Sequence, residues 1–144
     1  MAQENKELLL KDLYARLLYR VKGIITYDES NTTFTVEGID NNVLHLSDAE
    51  ECYVEDFKPY LRPMSSMTKE EVGEYISLKE DIVGSDDITY FFETYKSIDW
   101  LNKHHFDYRG LIEKGLALEA PETIYKHFGD MTVDVSVEYK GTKY

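Results

Sequence analysis

Apolar positions carry the first information in this chain. Between residues 5 and 21, Leu10, Leu13, Tyr14, Leu17, Leu18 and Val21 recur at the i, i+3, i+4 spacing of one helical face. That spacing predicts an N-terminal helix with Asn5 as its N-cap and Glu7 in the first turn, where the helix dipole favours an acid. Gly23 is the expected stop. The rhythm then shortens to that of strands. "KGIITYD" runs into the turn-rich "DESN", and "TTFTVEG" alternates with Phe34 and Val36 on one face. "DNN" at 40–42 is a turn signal, "VLHLS" follows it, and "CYVEDF" is a fourth short strand.

Prolines and caps organise the second half. Pro59 and Pro63 in "KPYLRPMSSM", 58–67, exclude a helix interior and predict an extended connector leaving the sheet. Thr68 and Glu71 have capping-box spacing and open a helix over about 69–79, with Gly73 inside it. Ser85 or Asp86 is the expected cap of a longer helix over 87–104. Its stripe is Ile88, Phe91, Phe92, Tyr95, Ile98 and Leu101. Asp107 and Gly115 bracket a short further helix, and "LALEAP" leaves it extended. "MTVDVSVEY", 131–139, alternates without a fault and predicts a half-buried closing strand.

The succession predicts one α+β domain over 1–144: an N-terminal helix, a small antiparallel sheet or partly closed barrel, two to three helices and a C-terminal strand. It divides into a sheet-rich part, 1–66, a helical part, 67–120, and the closing strand. A chain of 144 residues is the size of one ordinary domain, large enough for a core of its own.

Charge sharpens this picture. The chain has 16 basic and 28 acidic residues, a net charge of −12. An acidic surface disfavours direct nucleic-acid binding. From Gly23 to Phe57 there is no Lys or Arg, while nine carboxylates occur: Asp28, Glu29, Glu37, Asp40, Asp48, Glu50, Glu51, Glu55 and Asp56. Such a stretch serves either as a solubilising face or as a surface that steers a basic partner. Of the 19 aromatic residues, 12 are Tyr, a side chain suited to half-buried and interface positions. One cysteine, Cys52, excludes an intrachain disulfide and fits a reducing cytoplasm. The apolar run at the N-terminus is broken by Lys11, Asp12 and Arg16, so neither a signal peptide nor a membrane span is expected.

Candidate chemistry concentrates in "DWLNKHHFDYRGLIEKGL", 99–116, which holds the only Trp and two adjacent His. A metal-dependent hydrolase around His104, His105 and Asp107 is one reading. Neighbours on a helix point about 100° apart, however, and the i, i+4 histidine pair of helical zinc sites is absent. Cys52 is flanked by Glu50, Glu51 and Glu55, which work against a reactive thiolate. Ser66 and Lys69 have S-x-x-K spacing without its companion motifs. No nucleotide-cradling glycine loop occurs, and no cofactor is expected. The leading expectation is a non-enzymatic binding protein. Its candidate partner-binding residues are Glu37, Asp40, Asp48, Glu50, Glu51, Glu55 and Asp56, with Tyr108 and Arg109 as exposed contacts and with Trp100, which either flanks the core, the favoured reading, or marks an interface. A structural or assembly protein that forms oligomers is a further alternative.

Three segments, "LLLKDLYARLLYRVKG", "FKPYLRPMSSMTKEE" and "DWLNKHHFDYRGLIEKGLALEAPE", resemble a family of uncharacterised small proteins from Bacteroides-type gut bacteria and their phages and prophages. The resemblance implies a setting rather than a chemistry: a bacterial cytoplasm, a phage-derived origin, and a protein partner drawn from host or phage machinery, such as a nucleic-acid-binding or host-defence protein.

Overall fold

The computed structural model describes residues 1–80 and 87–125. Within them the helices are α1 (Gln3–Arg16), α2 (Lys69–Glu80) and α3 (Asp87–Lys103). The strands are β1 (Lys22–Ile25), β2 (Phe34–Asp40), β3 (Val43–Leu46), β4 (Glu51–Tyr53), β5 (Phe57–Leu61) and β6 (Leu118–Glu119). They form one open six-stranded sheet in the order β4-β3-β2-β1-β5-β6. The α+β class holds. The sheet is mixed rather than wholly antiparallel, because β6 returns from α3 to lie parallel to β5, and it does not close into a barrel. The expected closing strand, 131–139, and the caps Ser85 and Asp86 lie outside the described residues.

The N-terminal helix forms, but on a different face. Its buried residues are Leu9, Asp12, Leu13 and Arg16, while Tyr14 is 52% and Leu18 88% exposed. The spacing is still i, i+3, i+4, i+7. Two of its four positions are charged, and they turn inward because they neutralise each other. Arg16 donates from Nε to Asp12 Oδ2 at 2.8 Å and from Nη2 to Asp12 Oδ1 at 3.1 Å. Asn5 is not the cap; Ala2 occupies that position without a side-chain hydrogen bond. Gly23 is not the stop either. A 3-10 turn at Leu17–Tyr19 and a left-handed Arg20, φ 57°, end the helical segment.

Gly23 instead lies in β1 opposite Pro59. A Cβ there would stand 2.3 Å from the Lys58 carbonyl oxygen and 2.6 Å from Phe57 Cζ, so β5 packs where only glycine fits. The segment 58–67 is therefore no connector at its start. β5 is an interior strand, with Phe57, Pro59 and Leu61 buried. Pro59 is tolerated by register. Thr26 donates to the Asp56 carbonyl, and the antiparallel alternation then puts Lys58 in the bonding position toward β1 and Pro59 outside it. The Tyr125 hydroxyl closes this end of the ladder, accepting from Lys22 N–H and donating to the Tyr60 carbonyl, both at 2.8 Å. Its burial pushes the phenol pKa well up.

The capping box is as expected: Thr68 Oγ1 accepts from Glu71 N–H and Glu71 Oε1 from Thr68 N–H. In α3, Leu101 is buried, but Tyr95 and Ile98 are exposed and Ser97 and Asn102 are inside, so over 95–102 the buried side is offset from the expected stripe; the side chains of Ile88, Phe91 and Phe92 lie outside the described residues. Residues 111–115 form successive turns rather than a helix. Asp107 does cap them, taking Leu111 N–H and Ile112 N–H on its two oxygens, and Gly115, φ +76°, ends them. The core lies between α1, the inner face of the sheet and these turns, where Leu111, Leu116 and Ala117 pack against Leu9, Leu13, Val36, Leu44 and Phe57.

Candidate binding surface

The hairpins β2–β3 and β3–β4 gather the acidic residues. Leu44, Leu46 and Cys52 point into the core, so the alternate positions face solvent. Register then sets two rows on the outer face: Glu51, His45 and Gly38, and beside it Tyr53, Val43 and Asp40. The register shift between Val36 and Gly38 bulges β2 at Glu37, which is exposed. Left-handed Asp48 and Ala49 turn the chain into β4, leaving Asp48 and Glu50 exposed. Glu55 is exposed and Asp56 partly so in the turn after β4. Asp40 and Glu51 therefore stand on the outer face, with Glu37, Asp48, Glu50 and Glu55 exposed in the adjoining bulge and turns, while Asp56 lies directly before β5, its carbonyl bonded by Thr26 N–H. Lys6 offsets one of these carboxylates, approaching Glu55 at 3.7 Å, and His45 Nδ1 lies 3.3 Å from Glu51. Cys52 is buried, and that burial, with Asp56 nearby, pushes its thiol up to about 11, away from the thiolate form.

The stretch 99–109 lies at the opposite end of the sheet and folds as a tied corner. His105 takes a left-handed conformation, φ 63°, directly after α3. Its N–H reaches the Asn102 carbonyl and the Phe106 N–H reaches Leu101, the double closure that ends a helix. Its ring is buried and stacks on Tyr125 at 3.8 Å. Burial, then Arg16, His104 and Arg62, hold His105 well below the usual histidine pKa, against a backbone hydrogen bond with Tyr19. Asp99 accepts from Tyr19 Oη at 2.6 Å, and burial together with that bond pushes the phenol up to about 12.

Tyr108 and Arg109 are turned toward the protein more than sequence suggested, and Trp100 lies against it, in keeping with the core-flanking reading. Trp100 packs among Tyr75, His104 and Phe106 at 4.3–5.7 Å and donates from Nε1 to Glu74. Tyr108 donates to Asn102 Oδ1. Arg109, expected to be exposed, reaches inward to Asp12 Oδ1 at 2.8 Å with its side chain 19% exposed. These three hold the corner to α1 and α2.

Arg62 grips Glu71 through two hydrogen bonds of 2.6 and 2.9 Å and covers the Phe106 ring. His104 Nδ1 lies 3.9 Å from Glu71. Burial lowers the His104 pKa, with Glu71 and Glu74 pulling the other way. Arg62, Glu71, Glu74, Trp100, His104 and Tyr125 line a cleft of about 1200 Å³. The histidines and Asp107 do not converge: His105 faces inward, His104 faces Glu71, and both Asp107 oxygens hold backbone N–H groups. Among the described residues no three potential metal ligands come together.

No family model, curated protein or solved structure matches this chain.

Sequence reasoning missed two features. One is the buried Asp12–Arg16–Arg109 cluster, signalled only by an Asp–Arg i, i+4 spacing that reads equally well as a surface pair. The other is the position of β4 at the margin of the sheet, which depends on strand order and has no local signature.

Proposed function

We propose that this chain is a non-enzymatic accessory protein that binds a protein partner of basic surface through the acidic end of its sheet. One observation supports the reading: Asp40 and Glu51 stand on the outer face of the β2–β3–β4 hairpins, and Glu37, Asp48, Glu50 and Glu55 are exposed in the bulge and turns that adjoin them. A surface of that sign attracts basic proteins, accelerates encounter and competes with nucleic acid for the same partner. The resemblance to prophage proteins supports a nucleic-acid-binding or host-defence protein as that partner and a bacterial cytoplasm as the setting. No helix among the described residues is long and apolar enough to cross a membrane.

The test is capture from a Bacteroides-type lysate by the full chain and by a variant carrying Glu37→Lys, Asp40→Lys, Glu50→Lys and Glu51→Lys. The native chain is expected to retain basic proteins that the variant loses. Retention of the same proteins by both would overturn the reading.

A further inference from the structure

The margin of the sheet at β4 points to the partner's form as well as its charge. β4 pairs with β3 on one side, and among the described residues no strand pairs with its other side. Leu46 N–H bonds the Glu50 carbonyl and Val54 N–H bonds the Asn42 carbonyl. In an antiparallel ladder the bonded pairs recur every second residue, so Leu44 and Cys52 form the bonded pair between these two. The backbone of Cys52 therefore faces β3. The N–H and C=O of Glu51 and the N–H of Tyr53 point outward, along the plane of the sheet. Three main-chain groups are thus presented in the spacing that another strand would use.

Side chains restrict which strand can use them. Glu51 and Tyr53 lie on the solvent face, Tyr53 being 61% exposed, and Glu50 and Glu55 flank the strand. A residue placed opposite Glu51 or Tyr53 has its side chain on that same face. A basic side chain there meets a carboxylate at one position and a phenol ring at the other. The residue between them points inward beside Cys52, at the border of the core, where an apolar side chain fits. A second copy of this edge would set acid against acid, which blunts self-pairing as charged edge strands do.

We infer that β4 receives an extended segment of its partner as an added strand, with basic and apolar residues alternating along it. This deepens the proposed function and rests on it: the acidic surface supplies the attraction, and the edge that the described strands leave unpaired supplies register. The partner segment reads basic, apolar, basic across Glu51, Cys52 and Tyr53.

The test uses the full chain and a short synthetic peptide of alternating lysine and valine. Its control is the same peptide methylated on alternate backbone nitrogens, which keeps the charge and removes strand pairing. Tyr53→Pro offers a second route. Tyr53 has φ −74°, which proline adopts, and the substitution removes the outward N–H while leaving every carboxylate in place. Tyr53→Ala controls for the lost ring. The unmethylated peptide is expected to bind and to slow amide exchange at Glu51 and Tyr53. Methylation, and Tyr53→Pro relative to Tyr53→Ala, should each weaken binding by about tenfold or more. Equal, salt-sensitive binding of both peptides would overturn strand addition and leave the acidic surface standing. Binding of neither peptide at low salt would overturn both.

Discussion

Asp12 accepts hydrogen bonds from two arginines while fully buried, and Arg16, equally buried, also donates to the Phe106 carbonyl. This cluster ties α1 to the corner that follows α3, 90 residues and more away in sequence. Removing the shared carboxylate leaves one guanidinium with no counter-ion in the interior. Asp12→Ala is expected to destabilise the chain by about 3–5 kcal/mol, read from the midpoint of urea unfolding. A cost below about 1 kcal/mol would show that the cluster does not hold the fold together. The same residues explain why the helix was legible and its buried face was not. The i, i+4 rhythm of Leu9 and Leu13 survives in the sequence. Apolar counting nevertheless scores Asp12 and Arg16 as surface and places Tyr14 and Leu18 inside. Only the distant partners Arg109 and Phe106 reveal which face is buried. They also remove Arg109 from the exposed surface on which sequence placed it.

Elements differ in how locally they are specified. The start of α2 was fully legible because Thr68 and Glu71 satisfy each other's N–H groups within one turn. β5 was not. Two prolines argue against a strand interior, and the exception at Pro59 arises from pairing register with β1, which no single segment contains. Gly23 belongs to the same pairing. Read as a helix stop, it is instead the clearance that lets β5 approach β1. Gly23→Ala is expected to separate the two strands and to destabilise the chain by about 1–3 kcal/mol. Gly38→Ala provides the comparison, because its added methyl meets nothing closer than 3.8 Å. Equal unfolding midpoints for the two variants would refute the close approach. The corner at His105 is a third case. Adjacent histidines suggest a site in sequence, whereas the backbone uses the second as a left-handed helix terminator.

At the scale of the whole molecule, charge and chemistry are separated. The acidic hairpins occupy the β4 end of the sheet, and the histidine-bearing corner lies against β5 and β6 at the other end, where Arg62 pairs with Phe106 and Tyr125 with Tyr60. The charge imbalance was visible along the chain because it occupies one contiguous stretch. The placing of Asp40 and Glu51 on the outer face required strand register, which turns alternate residues outward. The place of β4 at the margin of the described sheet required strand order. Under the proposed function, the acidic end would meet a basic partner while the corner and the buried ion cluster maintain the fold.

The most direct test of that claim is the affinity of the full chain for the alternating lysine–valine peptide, measured from low to high sodium chloride. The Debye length falls from about 10 Å at 0.1 M salt to about 3 Å at 1 M. Binding through exposed carboxylates should therefore weaken steadily across the series and vanish in the variant with Lys at 37, 40, 50 and 51. An affinity that stays constant with salt, or that survives in that variant, would contradict the account.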